Sequence, residues 1–550
     1  MYLSNKKNIE LYKIYINEGL KNANKKAFSE AEIDFLKAIN LDKKNHIAYI
    51  NLSNIYLIQN KTNKSVKLLI DYISKYNLQE SIVNHACKIL YNFKYTKELL
   101  SLFKKAKLNS KKNYKKNYYL YFIQGAYYEK EEKYNEAKNS FSRALECNNL
   151  HFDSYIKLLN LYEQTNEFES FKKLLKKSFK NFNNTEYNNI ILLYKAILFN
   201  REKKFKDSHK IIIDNNLYFK LSANKNYLIK LLDLEAKNNE KLKDYIGAFQ
   251  KIEKRNNIIS SLDENKKFDG KNIFSSLEKY KIFYNKKNLA HISSKLSYQN
   301  DEKLVFLVGF PRSGTTLLDS ILRSHSKITV LEEKPYLLNL RHDFFKQNNN
   351  DLSSLLNINQ SVKDKIRNNY FKKIISHSDG NKKIIIDKFP LTIIELGFVK
   401  CIFPNSKIIL AMRHPCDVVT SCFFSSFKIN DAMVNFLKLD DTIKFYKNVF
   451  ELFEIYTNQL KLEFLTVKYE EIIVDLKNKS SQITNFLGLE YEDKMEKFFI
   501  TARNRSKIST PSYSQVINPL YTTSIGRWKN YPNAKKIERE LSKWIKKFNY

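Results

Sequence analysis

The sequence predicts two structural classes in one chain: an all-α array of paired helices in the first half and an α/β domain with a parallel sheet in the second. One observation is a 34-residue spacing between matching small and aromatic side chains around residues 118–151. A second is a change at Leu304, after which short apolar runs alternate with stretches of helical periodicity. Repeats of about 34 residues are typical of stacked helix pairs, and strands that alternate with helices are typical of a parallel sheet.

The clearest repeat unit spans residues 118–151. Its characteristic positions are Tyr121, Gly125, Tyr128, Ala137, Phe141 and Ala144. The small residues of this set allow two helices to touch, and the large ones fill the space between them. The pattern resembles the tetratricopeptide repeat, and a weaker copy contains Ala31, Phe35 and Ala38.

The repeat pattern divides the chain into three predicted parts. We expect a tetratricopeptide-like solenoid over residues 1–258, a polar linker at 259–300 and a second domain over 301–550. Stacked helix pairs form a concave groove, which typically binds a peptide or protein segment. A purely structural role for the array is the alternative.

Composition restricts the classes of partner. The formal net charge of the 550 residues is +37, which is compatible with a nucleic acid or a membrane surface. Lysine is spread along the whole chain without a concentrated basic block, so we do not expect nucleic-acid binding. No stretch of about 18 apolar residues occurs, so we expect no membrane span. The five cysteines form no C-x-x-C pair, and the nine histidines form no H-E-x-x-H motif. We therefore expect no disulfide framework and no metal, and, because no signal-peptide pattern opens the chain, a cytoplasmic location.

Four apolar runs predict the strands of the second domain. They are LVFLV at 304–308, KIIID at 383–387, KIILAM at 407–412 and EFLTV at 463–467. Charged and polar side chains follow the strands directly, namely Arg312, Lys388, Arg413 and Tyr469. Ligands of parallel sheets bind at the carboxyl ends of the strands, so these side chains predict a site for a ligand with several anionic groups.

The first of these strands leads into the sequence GFPRSGTT at 309–316. A strand, then Gly-x-x-x-x-Gly, then a helix is the arrangement of a phosphate-binding loop. The lysine that follows the second glycine in nucleoside triphosphatases is missing, and Arg312 lies inside the loop instead. The loop therefore indicates an anion other than ATP bound in the usual way. A simple strand-to-helix turn is the alternative interpretation.

These motifs resemble those of the sulfotransferases. The resemblance rests on PRSGTT at 311–316, on Arg413 with Ser421 eight residues later, and on SIGRW at 524–528. It is closest to the protein-tyrosine sulfotransferase family and to bacterial proteins that join tetratricopeptide repeats to such a domain. The resemblance implies a P-loop-like fold and 3′-phosphoadenosine 5′-phosphosulfate (PAPS) as co-substrate, without a metal.

The resemblance also implies roles for particular residues. The 5′-phosphosulfate would be held by the loop residues Arg312, Ser313, Gly314, Thr315 and Thr316. The 3′-phosphate would be held by Arg413 and Ser421. Further nucleotide contacts would come from Tyr469 in VKYEE and, in the late segment, from Ser512 and Arg527. The family pattern has a second arginine where this chain has Ser425.

The catalytic set implied by the resemblance is Glu333, Arg312 and Lys388. Glu333 lies 21 residues after Arg312, and it would act as the general base that takes a proton from the acceptor hydroxyl. Arg312 and Lys388 would neutralise charge that develops during transfer. His325 and His414 lie near the motifs, and we expect both to be structural.

Several functional alternatives stay open. A peptidyl tyrosine is the acceptor that the closest resemblance implies, and a carbohydrate or lipid hydroxyl is the alternative. Outside this chemistry, the chain could be a P-loop kinase or a repeat-based interaction protein with an inactive domain.

Overall fold

The structure is a computed structural model of the 550-residue chain. It describes residues 2–76, 79–108, 117–285, 303–375, 383–460, 462–503, 505, 516–520 and 522–550. The chain divides into two compact units, Met1–Tyr187 and Asn188–Tyr550.

The first unit consists of helices arranged in antiparallel pairs. They are α1 Tyr2–Asn24, α2 Phe28–Leu41, α3 His46–Ile58, α4 Thr62–Lys75, α5 Glu80–Asn92, α6 Thr96–Leu108, α7 Tyr118–Lys130, α8 Tyr134–Cys147, α9 Phe152–Gln164 and α10 Phe168–Phe182. A Cβ atom added to Gly125 of α7 would lie 2.6 Å from the ring of Phe141 in α8, and the same holds for Gly19 and Phe35 of α1 and α2. The small residues therefore permit the close helix contacts that the tetratricopeptide pattern requires, and this part of the fold prediction is confirmed.

A recurring turn conformation marks the helix pairs. A residue with positive φ follows the first helix of each pair, at positions spaced by 34 to 40 residues: Lys26, Asn60, Lys94, Glu132, Asn166, Lys203 and Lys243. The left-handed conformation reverses the chain within a few residues. The pattern continues past residue 187, so helix pairs of the same type occur in both units.

The second unit contains both the later helix pairs and the sheet. Its helices are α11 Asn188–Arg201, α12 Phe205–Asp214, α13 Leu217–Lys220, α14 Lys225–Lys241, α15 Tyr245–Ser260, α16 Lys271–Tyr284, α17 Thr315–Arg323, α18 Tyr336–Gln347, α19 Gln360–Ile375, α20 Leu396–Ile402, α21 Pro415–Phe424, α22 Leu439–Gln459, α23 Tyr469–Val474, α24 Leu476–Phe486, α25 Phe498–Arg503 and α26 Ala534–Lys547. The compact units thus divide at 187 rather than at the predicted 258. The predicted linker at 259–300 also includes α16, whose Leu277 and Tyr284 are buried.

Five parallel strands form the sheet of this unit. They are β1 Leu304–Gly309, β2 Ile328–Glu332, β3 Ile384–Lys388, β4 Lys407–Met412 and β5 Phe464–Lys468, in the order β2-β3-β1-β4-β5. Four of them coincide with the predicted apolar runs. Strand β2, whose five residues are ITVLE, was not predicted.

The central strand β1 is buried on both faces. Leu304, Phe306 and Val308 point into one apolar cluster, and Val305 and Leu307 into the other. This alternation follows from the two-residue period of a strand. Helices therefore cover both faces of the sheet, as the predicted α/β class requires.

The strand order places a crevice beside the end of β1. From β1 the chain continues towards one edge of the sheet, where it forms β2 and β3, and then towards the opposite edge, where it forms β4 and β5. The connections that follow the neighbouring strands β1 and β4 therefore run in opposite directions. Such a switch point is where open α/β sheets bind ligands. Among the described residues no helix is long and apolar enough to cross a membrane.

Candidate functional site

The loop after β1 has an unusual backbone. Arg312 has φ +71°, in the left-handed region that non-glycine residues rarely adopt, and Gly314 has φ +95°. Helix α17 begins directly after Gly314, and the side chains of Thr315 and Thr316 lie in its buried first turn. Free backbone amides at the start of a helix, together with the helix dipole, favour an anion in front of this turn.

Two residues that are 109 positions apart meet at this loop. The Nε atom of Arg312 donates a hydrogen bond of 3.0 Å to Oγ of Ser421. Ser421 belongs to α21, which follows β4, and the neighbouring Cys422 thiol lies 3.2 Å from the carbonyl oxygen of Pro311. The structure therefore brings the predicted loop arginine and the predicted phosphate-binding serine together.

Arg413 extends the same cluster from the end of β4. Its Nη1 donates to the carbonyl oxygen of Arg312 at 3.4 Å, and its guanidinium lies 5.0 Å from the ring centroid of Tyr469. The Tyr469 hydroxyl is 2.7 Å from the hydroxyl of Ser524. The Nε atom of Arg413 is buried and has no hydrogen-bond partner among the described residues. A buried guanidinium N–H without an acceptor is suited to an anionic ligand.

Asp417, on the first turn of α21, holds the late SIGRW segment beside this cluster. Its carboxylate accepts hydrogen bonds from the backbone amides of Gly526 at 2.7 Å and Trp528 at 3.1 Å. The predicted late segment therefore lies next to Arg413 and Tyr469.

A second cluster lies where β2 and β3 end. Nζ of Lys388 is fully buried and lies 2.9 Å from Oε1 of Glu333, 3.6 Å from Glu332 and 3.9 Å from Asp319. Glu333 has φ +48°, and its amide donates to the Lys388 carbonyl oxygen at 2.8 Å. The side chain of Glu333 is 34% exposed, whereas that of Glu332 is 11% exposed. Of the two adjacent acids, Glu333 is thus the more accessible to a substrate.

Two members of this second cluster, Asp319 and Arg505, were not predicted from the sequence. Asp319 is fully buried on α17; it accepts a hydrogen bond of 2.8 Å from Arg323, and Arg505 pairs with Glu332. Burial alone would raise the pKa of Asp319, but Arg323, Lys388 and Arg505 outweigh burial and lower it. One signal was present in the sequence: Asp319 lies four residues after Thr315, on the same helical face.

Two predicted nucleotide contacts are not part of these clusters. Arg527 forms two hydrogen bonds of 2.6 Å with Glu240. Burial lowers the pKa of Arg527, but Glu240 more than offsets this, so the pKa is raised. A nucleotide contact of Arg527 would require exchange of this ion pair. Ser512 lies outside the described residues.

Both histidines near the motifs have structural partners. Nε2 of His325 is 2.9 Å from the carbonyl oxygen of Glu490, and its Nδ1 accepts from the amide of Lys327 at 3.0 Å. His414 caps α21, because its Nδ1 accepts from the amide of Cys416 at 3.3 Å. Burial lowers the pKa of His414. The expectation that the two rings are structural agrees with these contacts.

Comparison with known proteins identifies this part of the chain. The model of the sulfotransferase family matches residues 305–493. An uncharacterised protein of Aquifex aeolicus is 25% identical over 310 residues, which are 53% of this chain and 38% of that protein. Protein-tyrosine sulfotransferase A of Caenorhabditis elegans is 24% identical over 44% of this chain and 64% of its own length. A putative protein-tyrosine sulfotransferase of Caenorhabditis briggsae is 28% identical over 42% of this chain and 81% of its own length.

The matches are partial but agree with the site. The chain spans less than two thirds of the length of the first two relatives. The matched segment, 305–493, contains the loop after β1, both catalytic candidates of the second cluster, and Arg413 with Ser421. Residues 305–493 thus match the sulfotransferase family, in a chain that also contains tetratricopeptide-like helix pairs.

Proposed function

We propose that this protein transfers a sulfuryl group from PAPS to a hydroxyl acceptor, and that the acceptor is a peptidyl tyrosine. The observation that carries the proposal is the meeting of Arg312, Ser421 and Arg413 at the end of β1. Cationic and hydroxyl donors from two strand ends converge there in front of a helix amino terminus, which suits a nucleotide with phosphate groups at two positions.

The residues divide into two groups by what they would hold. The loop from Arg312 to Thr316 would bind the 5′-phosphosulfate through backbone amides and hydroxyls. Arg413 and Ser421 would bind the 3′-phosphate, and the Nε atom of Arg413, which has no acceptor among the described residues, supports this role. Binding of the remote 3′-phosphate would orient the reacting end of the nucleotide. PAPS supplies the sulfuryl group when it is bound.

Proton transfer would be the task of Glu333. A phenol has a pKa of about 10, so a base near its hydroxyl assists attack at neutral pH. Oε1 of Glu333 lies 2.9 Å from Nζ of Lys388, so the two side chains form an ion pair. An anionic ligand beside Lys388 would compete for the ammonium group and leave Glu333 free to accept the proton. Lys388 and Arg312 would then stabilise charge on the transferred group and on the leaving oxygen.

The named relatives support tyrosine as the acceptor, because two of them are described as protein-tyrosine sulfotransferases, one of these as putative. A peptide acceptor also agrees with helix pairs in the same chain, which we propose recruit a protein segment. A carbohydrate or lipid hydroxyl is the alternative acceptor, and an acceptor screen distinguishes the two.

The test is binding of 3′-phosphoadenosine 5′-phosphate, the product nucleotide, by calorimetry without metal. We expect binding that Arg413→Ala weakens at least tenfold, while Arg539→Ala, on the exposed face of α26, leaves it unchanged. Transfer of radiolabelled sulfate to tyrosine peptides would follow. Binding of ATP with Mg²⁺ but not of the bisphosphate would refute the proposal and favour a kinase.

A further inference from the structure

Helix α15 of the pair α14–α15 contacts the carboxyl end of α21, the helix that carries Ser421. The connecting side chain is Arg255, which is fully buried. Its guanidinium donates to the carbonyl oxygens of Phe424 at 3.0 Å, Phe423 at 3.3 Å and Ser425 at 3.5 Å. The last carbonyl groups of a helix have no partner within the helix, so Arg255 supplies the donors that the end of α21 requires.

The rest of the Arg255 guanidinium is also fully bonded. Nη1 donates to Oδ1 of Asp233 at 2.7 Å, and Nε and Nη2 donate to Oδ1 of Asn256 at 3.1 and 2.8 Å. Asn256 in turn donates to the carbonyl oxygen of Phe423 at 3.3 Å. A buried charge is tolerated where it is paired and hydrogen-bonded throughout, and both conditions hold here. The arrangement is therefore a built contact with defined geometry.

Further contacts join the same helix pair to the region of α21. The rings of Phe249 and Phe423 stack with centroids 5.1 Å apart, and Glu240 binds Arg527. Phe249 and Phe423 belong to one apolar cluster with Ala248, Ile252 and Tyr531. The polar contacts of Arg255 are thus protected from water by apolar packing.

The end of α21 matters because Ser421 lies on its last turn. Phe424 is the final helical residue, three positions after Ser421, and the Ser421 hydroxyl accepts the hydrogen bond from Arg312. Fraying of this turn would move that hydroxyl away from the loop. We propose that Arg255 is a positioning residue for the donor nucleotide: it holds the last turn of α21 so that Ser421 stays against Arg312.

This inference rests on the proposed function, because it concerns the 3′-phosphate site of that function. It also assigns a task to the helix pair α14–α15, which sequence analysis placed in the repeat array. Arg255 does not contact the nucleotide itself, since its side chain is inaccessible. Its effect must therefore pass through Ser421 and appear in donor binding before it appears in turnover.

The test uses the full chain and the variant Arg255→Lys. Lysine keeps the charge and most of the stem but cannot donate in the fixed fork geometry of a guanidinium. The matched control is Arg367→Lys. Arg367 is also buried, and it donates a hydrogen bond of 3.0 Å to the carbonyl oxygen of Ile402. Ile402 is the last residue of α20, a helix that contains no predicted site residue. Calorimetry gives the Kd for 3′-phosphoadenosine 5′-phosphate, initial rates give donor KM and kcat, and thermal unfolding gives Tm.

We expect Arg255→Lys to weaken bisphosphate binding about tenfold, which corresponds to about 1.4 kcal/mol, and to raise donor KM similarly while kcat changes less than about twofold. Arg367→Lys should lower Tm comparably and leave the Kd within about twofold. Equal affinities of wild type and a folded Arg255→Lys would overturn the inference. Equal weakening by both variants would also overturn it, because the loss would then be a general loosening.

Two further outcomes are decisive. If Arg255→Lys does not fold, the second variant is Asn256→Ala, which removes a partner of Arg255 and the hydrogen bond to Phe423. This variant should weaken bisphosphate binding about threefold. An unchanged Kd would overturn the inference. If the wild type does not bind the bisphosphate, the proposed function is refuted. If the wild type binds and the variant binds equally well, only the role of Arg255 is refuted.

Discussion

Replacing Lys388 by methionine would remove the cation around which three carboxylates of the site are arranged. Glu333, Glu332 and Asp319 have oxygen atoms at 2.9, 3.6 and 3.9 Å from its Nζ atom. Arg323 and Arg505 balance two of these negative charges and Lys388 balances the third. The variant Lys388→Met therefore leaves one uncompensated negative charge in a mostly buried cluster.

The expected loss of stability follows from this burial. Removal of one partner from a buried ion pair costs about 3–5 kcal/mol. Lys388 and Asp319 are fully buried, but Glu333 is 34% exposed, so solvent screens part of the charge. We therefore expect Lys388→Met to lower the free energy of unfolding by about 3 kcal/mol at pH 7, the lower end of that range.

The loss should depend on pH in a defined direction. Lys388 is one of the cations that lower the pKa of Asp319 in the folded protein. A lowered carboxyl pKa contributes stability above the unfolded pKa, and this contribution disappears as the pH falls through the folded pKa. The difference between wild type and Lys388→Met should therefore be largest near pH 7 and decrease below about pH 4.

Urea unfolding followed by tryptophan fluorescence measures this effect. The only two tryptophans, Trp528 and Trp544, are buried in the second unit, so the signal reports the unit that contains Lys388. Addition of Glu332→Gln to Lys388→Met removes the excess negative charge and should restore at least half of the loss. Lys447→Met, which breaks a half-exposed ion pair with Glu540, is the control and should cost less than about 1 kcal/mol.

Two results would refute this reasoning. If Glu332→Gln restored nothing in the Lys388→Met background, the loss would come from packing rather than from charge. If Lys388→Met were no less stable than Lys447→Met, the buried cluster would not depend on its central cation.

Three further changes have defined outcomes. Glu333→Gln should lower kcat by about 10²–10⁴-fold and leave the Kd of 3′-phosphoadenosine 5′-phosphate within about threefold, as measured by initial rates and calorimetry. Gly125→Ala should lower the free energy of unfolding of the helix pairs by about 1–3 kcal/mol in far-UV circular dichroism, because its Cβ atom would lie 2.6 Å from the Phe141 ring. Asp387→Asn should remove one component of the pH dependence of stability between about pH 4 and 7 in urea titrations. Burial raises the pKa of Asp387 to about 7, so the contribution of Asp387 to wild-type stability falls as the pH rises through this range.

Each of these expectations has a contradicting result. Full turnover by Glu333→Gln would exclude this carboxylate as the base. An unchanged unfolding curve of Gly125→Ala would mean that the helices of that pair do not approach as closely as the structure shows. Parallel stability profiles of wild type and Asp387→Asn would show that Asp387 stays ionised in the folded protein, with its hydroxyl partner Tyr370.

Local patterns predicted much of the architecture. The apolar runs of β1, β3, β4 and β5 appear as strands close to their predicted bounds, because a buried parallel strand needs a continuous apolar segment. Strand β2, with the sequence ITVLE, was not among the predicted strands. The predicted end of the array at 258 rested on the fading of the repeat, and the last helix pair, α14–α15, ends at Ser260.

The sequence by itself determined the loop after β1, the spacing of Arg413 and Ser421, and the helix pairs, since each depends on residues that are close along the chain. Only the tertiary structure decided that Asp319 and Arg505 lie in one cluster with Lys388, and that Arg527 pairs with Glu240. It also decided that Arg255 donates hydrogen bonds to the last carbonyl groups of α21. These contacts join residues that are tens to hundreds of positions apart. Which residues form these contacts depends on how the helices pack in the folded domain. That packing cannot be predicted from the periodicity of a short segment.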